Sequence, residues 1–218
     1  MKTMIDIVFV TDYVCPYCLV AKEALKKALI ATNIDANITF HPMELTMEPE
    51  PRVDTYHDEV RKAKYQVLVE PCKKLGIDMK LPPNVVPRPY TRLAYEGLHF
   101  AASKGKAEAY NDLMYNAYFI DEKDIGDIDV LVSLAESVGL NGAEYREALE
   151  TGKYRILQEN LSYYARNKLK PKGIPAIYID GKKVTLSDYS VEEMMGILLH
   201  KTQGENAVGM SCGIDGCC

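Results

Sequence analysis

The chain lacks the features that mark several common functional classes. There is no basic excess: Lys plus Arg total 26 against 31 Asp plus Glu, a net charge of -5. The positive field that nucleic-acid binders carry is therefore missing. Apolar runs are only a few residues long, too short to cross a bilayer. The first ten residues hold one Lys and then strand-like positions. They lack the basic start, apolar stretch and small-residue cleavage site of a secretory leader, so a cytoplasmic chain is expected. There is no phosphate-binding loop, no G-x-S-x-G nucleophile turn, no repeat and no low-complexity block. What remains is ordinary globular usage, 47% hydrophobic and 26% charged over 218 residues, enough to bury a core without disulfide staples. Six cysteines in a reducing compartment then point to redox or metal chemistry rather than to a structural framework.

The apolar pattern changes period along the chain. Met4–Val10 is nearly all apolar and β-rich, as a strand buried on both faces is. From Leu19 the spacing becomes helical, with Leu19, Val20, Ala24, Leu25, Ala28 and Leu29 on one face and Lys22, Glu23, Lys26 and Lys27 on the other. Ala36–His41 reads as a second strand, giving a βαβ unit with a parallel pair. After a Pro-punctuated linker, helical spacing dominates for about a hundred residues, broken by the four prolines of Leu81–Pro89. Strand character returns at Ile174–Ile179, Asp180-Gly181 is a hairpin turn pair, and Ser190 with Glu193 forms a capping box for a last helix. One economical arrangement puts all four strands in one sheet, with the helical block inserted as a cap.

Between the first strand and the first helix stands C-P-Y-C, Cys15 to Cys18. Cysteines three apart around a first helical turn lie about 5–6 Å from each other, which suits a disulfide. Pro16 suits the first helical position. Cys15, at the helix N-terminus, is expected to have a lowered pKa and to be the nucleophile; Cys18, one turn inside, is the resolving thiol. The thiolate attacks a substrate disulfide, and Cys18 then releases reduced substrate; run backwards, the pair donates a disulfide. The competing zinc reading needs about four ligands, usually from two such pairs, and only one C-x-x-C exists here. Pro175, at the start of the Ile174–Ile179 strand, gains meaning from this upstream motif.

C-P-Y-C after the first strand, G-I-P-A late in the chain and a long helical stretch between them resemble the DsbA family of thioredoxin-fold oxidoreductases. H-P-M-E-L (His41–Leu45) and Ala117–Leu131 resemble its FrnE-like branch, the relatives of 2-hydroxychromene-2-carboxylate isomerase. The resemblance implies an α/β, thioredoxin-like fold with a large all-helical insertion. Residues 1–50 and 155–200 would form the thioredoxin-like domain, 51–154 the insertion and 201–218 a flexible Cys-containing tail. It further implies a cis peptide before Pro175, with Pro16, Tyr17, Ile174 and Pro175 orienting a disulfide- or thiol-containing protein or peptide substrate. No cofactor beyond the redox pair is implied, with glutathione a candidate electron partner. Two departures stand out. Many FrnE-like members have Trp where this chain has Tyr17, and the isomerase relatives carry Ser where this chain has Cys15. A glutathione-dependent isomerase or transferase is the alternative activity; a metal- or peptide-binding protein is the second.

Cys212 and Cys217 bracket a glycine-containing loop that closes easily into an auxiliary redox pair; a metal contact with His200 or Cys218, or incidental thiols, are the competing readings. Cys72, on a stripe with Leu68 and Leu75, is expected in the core. Asp12 is expected to cap the first helix, and Glu23 to lie on a solvated face. His41, His57, His99 and His200 show no ligand spacing. The 15 tyrosines are expected mainly at the edges of the core.

Overall fold

The computed structural model describes residues 4–207. Its centre is β1 (Met4–Thr11), flanked on one side by β2 (Asp35–Pro42) and on the other by β3 (Ala176–Ile179), with β4 (Lys182–Val184) at the far edge. β1 and β2 run parallel, from Met4 opposite Asp35 to Thr11 opposite Pro42. A parallel pair needs a crossover, and α1 (Pro16–Thr32) supplies it. β3 runs antiparallel to β1, with Ala176 opposite Val10. Asp180 (φ 48°) and Gly181 (φ 74°) turn β3 into β4. Two successive positive φ angles match the right-handed twist of a hairpin. The four strands thus share one sheet, in a thioredoxin-like α/β fold.

Between β2 and β3 the chain is helical: α2 (Glu59–Gln66), α3 (Val69–Leu75), α4 (Arg92–Ser103), α5 (Ala107–Phe119), α6 (Ile128–Ser137), α7 (Gly142–Glu150) and α8 (Arg155–Tyr164), which continues into a π-helical turn at Ala165–Leu169. Gly76, at φ 69°, ends α3 in the left-handed conformation that glycine adopts without steric penalty. The proline-rich stretch that follows holds no helix until Arg92. α9 (Val191–Ala207) closes the fold against α1. Ser190 Oγ accepts the Glu193 N–H at 3.0 Å. The Glu193 carboxylate turns instead to Ser187, Asp188 and Tyr189, so only half of the expected capping box forms. Because α9 runs through Ala207, residues 201–207 are helical, where the sequence pattern begins a flexible tail.

Two side-chain placements also differ from the pattern. Lys22, assigned to the polar face of α1, is buried; its ammonium lies 2.5 Å from Asp112 and 2.7 Å from Glu23, and 5.6 Å from the ring centre of Tyr115. The helical period gave its direction, but α5 covers that direction and brings a compensating carboxylate. The tyrosines are not confined to the core edge: Tyr13, Tyr95, Tyr110, Tyr115, Tyr118 and Tyr145 are fully enclosed. Tyr13 stacks on Tyr95 at 4.3 Å between ring centres and meets Tyr115 edge-on at 5.1 Å. Tyr110 donates to the Ala94 carbonyl at 3.0 Å and shares a 2.6 Å bond with the Tyr145 hydroxyl. Cys72 is buried between Leu68 and Leu75, as expected.

Gly97, on α4, lies under the Tyr110–Tyr145 hydroxyl pair, and a Cβ there would collide with both oxygens and with Tyr145 Cζ at 2.8 Å. Gly97→Ala is expected to destabilise the fold by about 1–3 kcal/mol, the usual cost of overpacking a full core, measured as a lowered urea midpoint with unchanged slope.

Candidate active site

Thr11 ends β1 and Pro16 begins α1, so Asp12 to Cys15 form the turn between them. Cys15 occupies the N-cap position, with its backbone extended at φ -95° and ψ 111°, and no side chain caps the helix. Its N–H donates to the Asp12 carbonyl at 3.0 Å, and its carbonyl accepts the Cys18 N–H at 3.0 Å. The turn therefore closes on itself and carries both sulfurs to one end of the sheet. Cys15, Cys18 and Cys72 are free thiols, and Cys18 is within hydrogen-bond reach of the Cys15 sulfur. Cys15 is 4% exposed and Cys18 not at all. Burial pushes the Cys18 thiol well above its ordinary range, and the hydrogen bond and charge of Cys15 push the same way; the Thr11 hydroxyl opposes them.

The antiparallel β1–β3 pairing brings the segment before β3 to the same end. Ile174–Pro175 is a cis peptide, and the Ile174 carbonyl oxygen lies 3.9 Å from Cys15 Sγ. Beside it a cavity of about 170 Å³ is lined by Pro175, Ile177, Lys183, Val184, Leu186 and Tyr189. The structure thus brings together Cys15, Cys18, Ile174 and Pro175. Pro16 is buried at the first helical position. Tyr17 turns toward the insertion, its hydroxyl donating to the Lys64 carbonyl on α2 at 3.2 Å and its ring 6.1 Å from Tyr189. Cys212 and Cys217 lie outside the described residues.

Asp12 does not cap α1. Its carboxyl is fully buried and accepts the Leu45 N–H and the Thr91 hydroxyl, each at 2.7 Å. Burial raises its pKa, against the lowering effect of these two donors and of Arg88. The N-cap is taken by Cys15 itself, leaving Asp12 free to tie the turn to the β2 exit and to the start of α4. Glu44, next along the β2 exit, accepts Gln158 Nε2 at 3.4 Å; burial, then the nearby Asp12 charge, raises its pKa to about 7. His99 is held by Gln158 Oε1 at 3.2 Å and burial lowers its pKa, fitting a core rather than a ligand role. Among the described residues, no group of three His, Cys, Asp or Glu side chains is placed to hold a metal ion.

Sequence reasoning missed Thr11, Tyr65, Tyr115 and Tyr189. Burial raises the hydroxyl pKa of Tyr65 on α2, against the lowering effect of Arg88, and that of Tyr189, and the Cys15 charge adds to both. No local pattern singles them out, because they arrive from distant segments.

A family model described as the DSBA-like thioredoxin domain matches residues 6–195. The chain belongs to the DSBA-like thioredoxin domain family. It is 38% identical over 170 residues to the uncharacterized protein YwbO of Bacillus subtilis, covering 78% of this chain and 84% of that one. Among solved structures, the probable DsbA oxidoreductase SCO1869 of Streptomyces coelicolor superposes with a TM-score of 0.75 at 22% identity, over 98% of this chain and 94% of that one. A 2-hydroxychromene-2-carboxylate isomerase gives 0.72 at 16%, over 94% and 100%. The cytosolic disulfide reductase DsbM of Pseudomonas aeruginosa, solved with GSH, gives 0.67 at 15%, over 91% and 99%. These three likenesses concern the fold. The DsbA-like family is the one the sequence resemblance indicated.

Glu44 generates a pH signature. Its folded-state pKa of about 7 lies above its ordinary 4.5, so between these values the folded chain binds more protons than the unfolded one. The contribution is present at low pH and is lost as pH rises through about 7. Glu44→Gln is expected to flatten this slope, so that the variant gains stability relative to wild type at pH 8 compared with pH 5. Urea midpoints at the two values check this; an equal difference at both refutes it.

Proposed function

We propose that this DsbA-like protein is a thiol–disulfide oxidoreductase/isomerase acting on protein or peptide disulfides through Cys15 and Cys18. One observation carries the reading: a free dithiol spans the first turn of α1 with Cys15 Sγ 3.9 Å from the Ile174 carbonyl. Uncapped N–H groups at a helix start attract negative charge, and a thiolate is the attacking species in disulfide exchange. Cys15 forms a bond to one substrate sulfur, and the other substrate sulfur leaves with its electron pair and takes a proton. Cys18 then attacks Cys15 and releases the second substrate sulfur. Release without that second step reshuffles disulfides. The Ile174 backbone and Pro175, together with Pro16 and Tyr17 of the cysteine turn, orient an extended substrate segment beside the cavity at β4.

No further cofactor enters this mechanism; glutathione serves as a candidate electron partner, and the likeness to a cytosolic reductase solved with GSH supports that choice. The same likeness supports a cytoplasmic setting. Among the described residues no helix is long and apolar enough to cross a membrane. The net charge of -5 argues against a nucleic-acid partner. The Cys212–Cys217 pair is assigned a shuttle role, exchanging electrons with Cys15–Cys18. Cys15, in place of the serine of isomerase relatives, favours disulfide exchange over glutathione-dependent isomerisation.

Cys15→Ser is expected to abolish reduction of insulin disulfides, and Cys18→Ser to accumulate mixed disulfides separable on non-reducing gels. An isomerase would instead keep turning over its substrate without Cys18, and retained exchange in Cys15→Ser refutes the assignment. Deleting residues 212–218 is expected to slow turnover several-fold while sparing the alkylation rate of Cys15; an unchanged turnover rate removes the shuttle.

A further inference from the structure

A second cavity, of about 270 Å³, lies beyond the end of β2, the opposite edge strand from β4, and shares no residue with the cavity at Pro175. Three segments enclose it: the β2 exit, the start of α4, and α8 with its π-helical turn. Three of the side chains that line it are polar yet buried: Gln158 is 1% exposed, Ser162 4% and Glu44 6%. Others that line it reach solvent, among them Tyr163, Glu48, Arg155 and Glu159, so the cavity opens to the outside. Burying a polar group costs free energy unless the group is engaged, and several here are not. Ser162 Oγ and the Nε–H groups of Arg92 and Arg166 are buried with no hydrogen-bond partner among the described residues.

The charges that line the cavity do not cancel. Arg92 is paired with Glu96 at 2.5 Å and with Glu48 at 3.2 Å, and Arg155 with Glu159 at 3.3 Å. Arg166 differs from both. Its Nη2 donates to the Glu44 main-chain carbonyl, and among the described residues it forms no ion pair with a carboxylate. Glu44 feels the Arg166 charge, but its carboxyl accepts Gln158, and burial holds its pKa at about 7, so at pH 6 it is mostly neutral. A guanidinium stays protonated at any such pH, and its planar fork of donors matches a carboxylate in shape. Two observations favour a singly charged organic acid over phosphate. Glu48 and Glu159 line the same cavity and penalise each further negative charge on a ligand. Met47 and the Tyr163 ring supply apolar surface for a short carbon chain or ring. The volume falls just under the roughly 300–1,000 Å³ of drug-sized sites, which sets the ligand as small.

We propose that this cavity binds a small organic monocarboxylate, anchored by the Arg166 guanidinium with the Ser162 hydroxyl as a second donor. The ligand gives Arg166 the counter-charge that the chain withholds and takes up hydrogen bonds that are otherwise unmade. Binding is non-covalent and independent of the cysteine chemistry. Glu44 gives it a pH dependence. Facing Glu44 are Asp12 from the cysteine turn, Arg92 from α4, and Gln158 and Arg166 from the α8 segment. His99 stands behind Gln158, His41 on β2 turns to Tyr164, and Glu48, Arg155 and Glu159 share the cavity. As pH rises through about 7, Glu44 ionises. It then competes for Arg166 and repels a second carboxylate, so affinity falls.

The full reduced chain is titrated by calorimetry at pH 6 with acetate, butyrate and benzoate, each beside its uncharged amide, and with inorganic phosphate. At least one carboxylate is expected to bind saturably, one per chain, and at least about tenfold more tightly than its amide, the factor that a charge-assisted bond carries. Arg166→Gln is expected to weaken that binding at least about tenfold, and Ser162→Ala, which removes one oxygen, about threefold. From pH 6 to pH 8 the affinity of the wild-type chain is expected to fall about tenfold, and Glu44→Gln to remove most of that dependence. Absence of saturable binding by all three carboxylates overturns the site. Phosphate or the amides binding as tightly as the carboxylates overturns the ligand class. An affinity unmoved by Ser162→Ala and by the change of pH also overturns the proposal, and these two readouts remain if Arg166→Gln does not fold.

Discussion

The strand-to-helix junction that carries both sulfurs is held in place by one buried carboxyl group. Asp12 is the point at which the cysteine turn, the β2 exit and the start of α4 meet. Its side chain receives Leu45 and Thr91, and its carbonyl receives the Cys15 N–H. A buried carboxyl is costly unless its oxygens are engaged, so these segments are locked to each other by the penalty for leaving it bare. Arg88 adds its favourable field. The helix keeps its first turn open as a result, because the residue best suited to cap it is committed elsewhere.

The helical insertion is part of the same body. Its tyrosines enter the core, and their hydroxyls reach the last residue of β1: Tyr95 from α4 binds the Thr11 carbonyl, and Tyr115 from α5 binds the Thr11 hydroxyl. One hydrophobic cluster runs from Ile5, Ile7 and Phe9 of β1 through Leu19 and Leu25 of α1 to Leu131, Leu134 and Leu149 of the insertion. An insertion whose buried hydroxyls are paired with the end of β1 cannot be lifted away without orphaning them.

Those parts of the architecture that local physics dictates were legible from the chain alone. The change of period at Leu19, the Asp180-Gly181 turn and the helix start at Pro16 each depend on neighbouring residues, and each is where it was expected. Of the site, the two cysteines and their place at the helix start could be read in this way. The cis bond at Pro175 came from family resemblance, while those at Pro49, Pro82 and Pro87 had no signal. What escaped depends on partners far along the chain. Lys22 belongs to a polar face until Asp112 is brought against it, and Asp12 is an N-cap candidate until Leu45 and Thr91 claim it. Tyr115 and Thr11 meet only because α5 crosses the end of β1, a juxtaposition that no period of 2 or 3.6 encodes.

Tyr17 joins two properties that are separate in an isolated redox motif. It stands between the two cysteines, where side chains adjust the relative stability of dithiol and disulfide, and its hydroxyl also tethers α2 through the Lys64 carbonyl. A change at this position therefore touches the cysteine turn and the contact with α2 together. A side chain without a hydroxyl at position 17 would keep its place between the cysteines and lose the tether to α2.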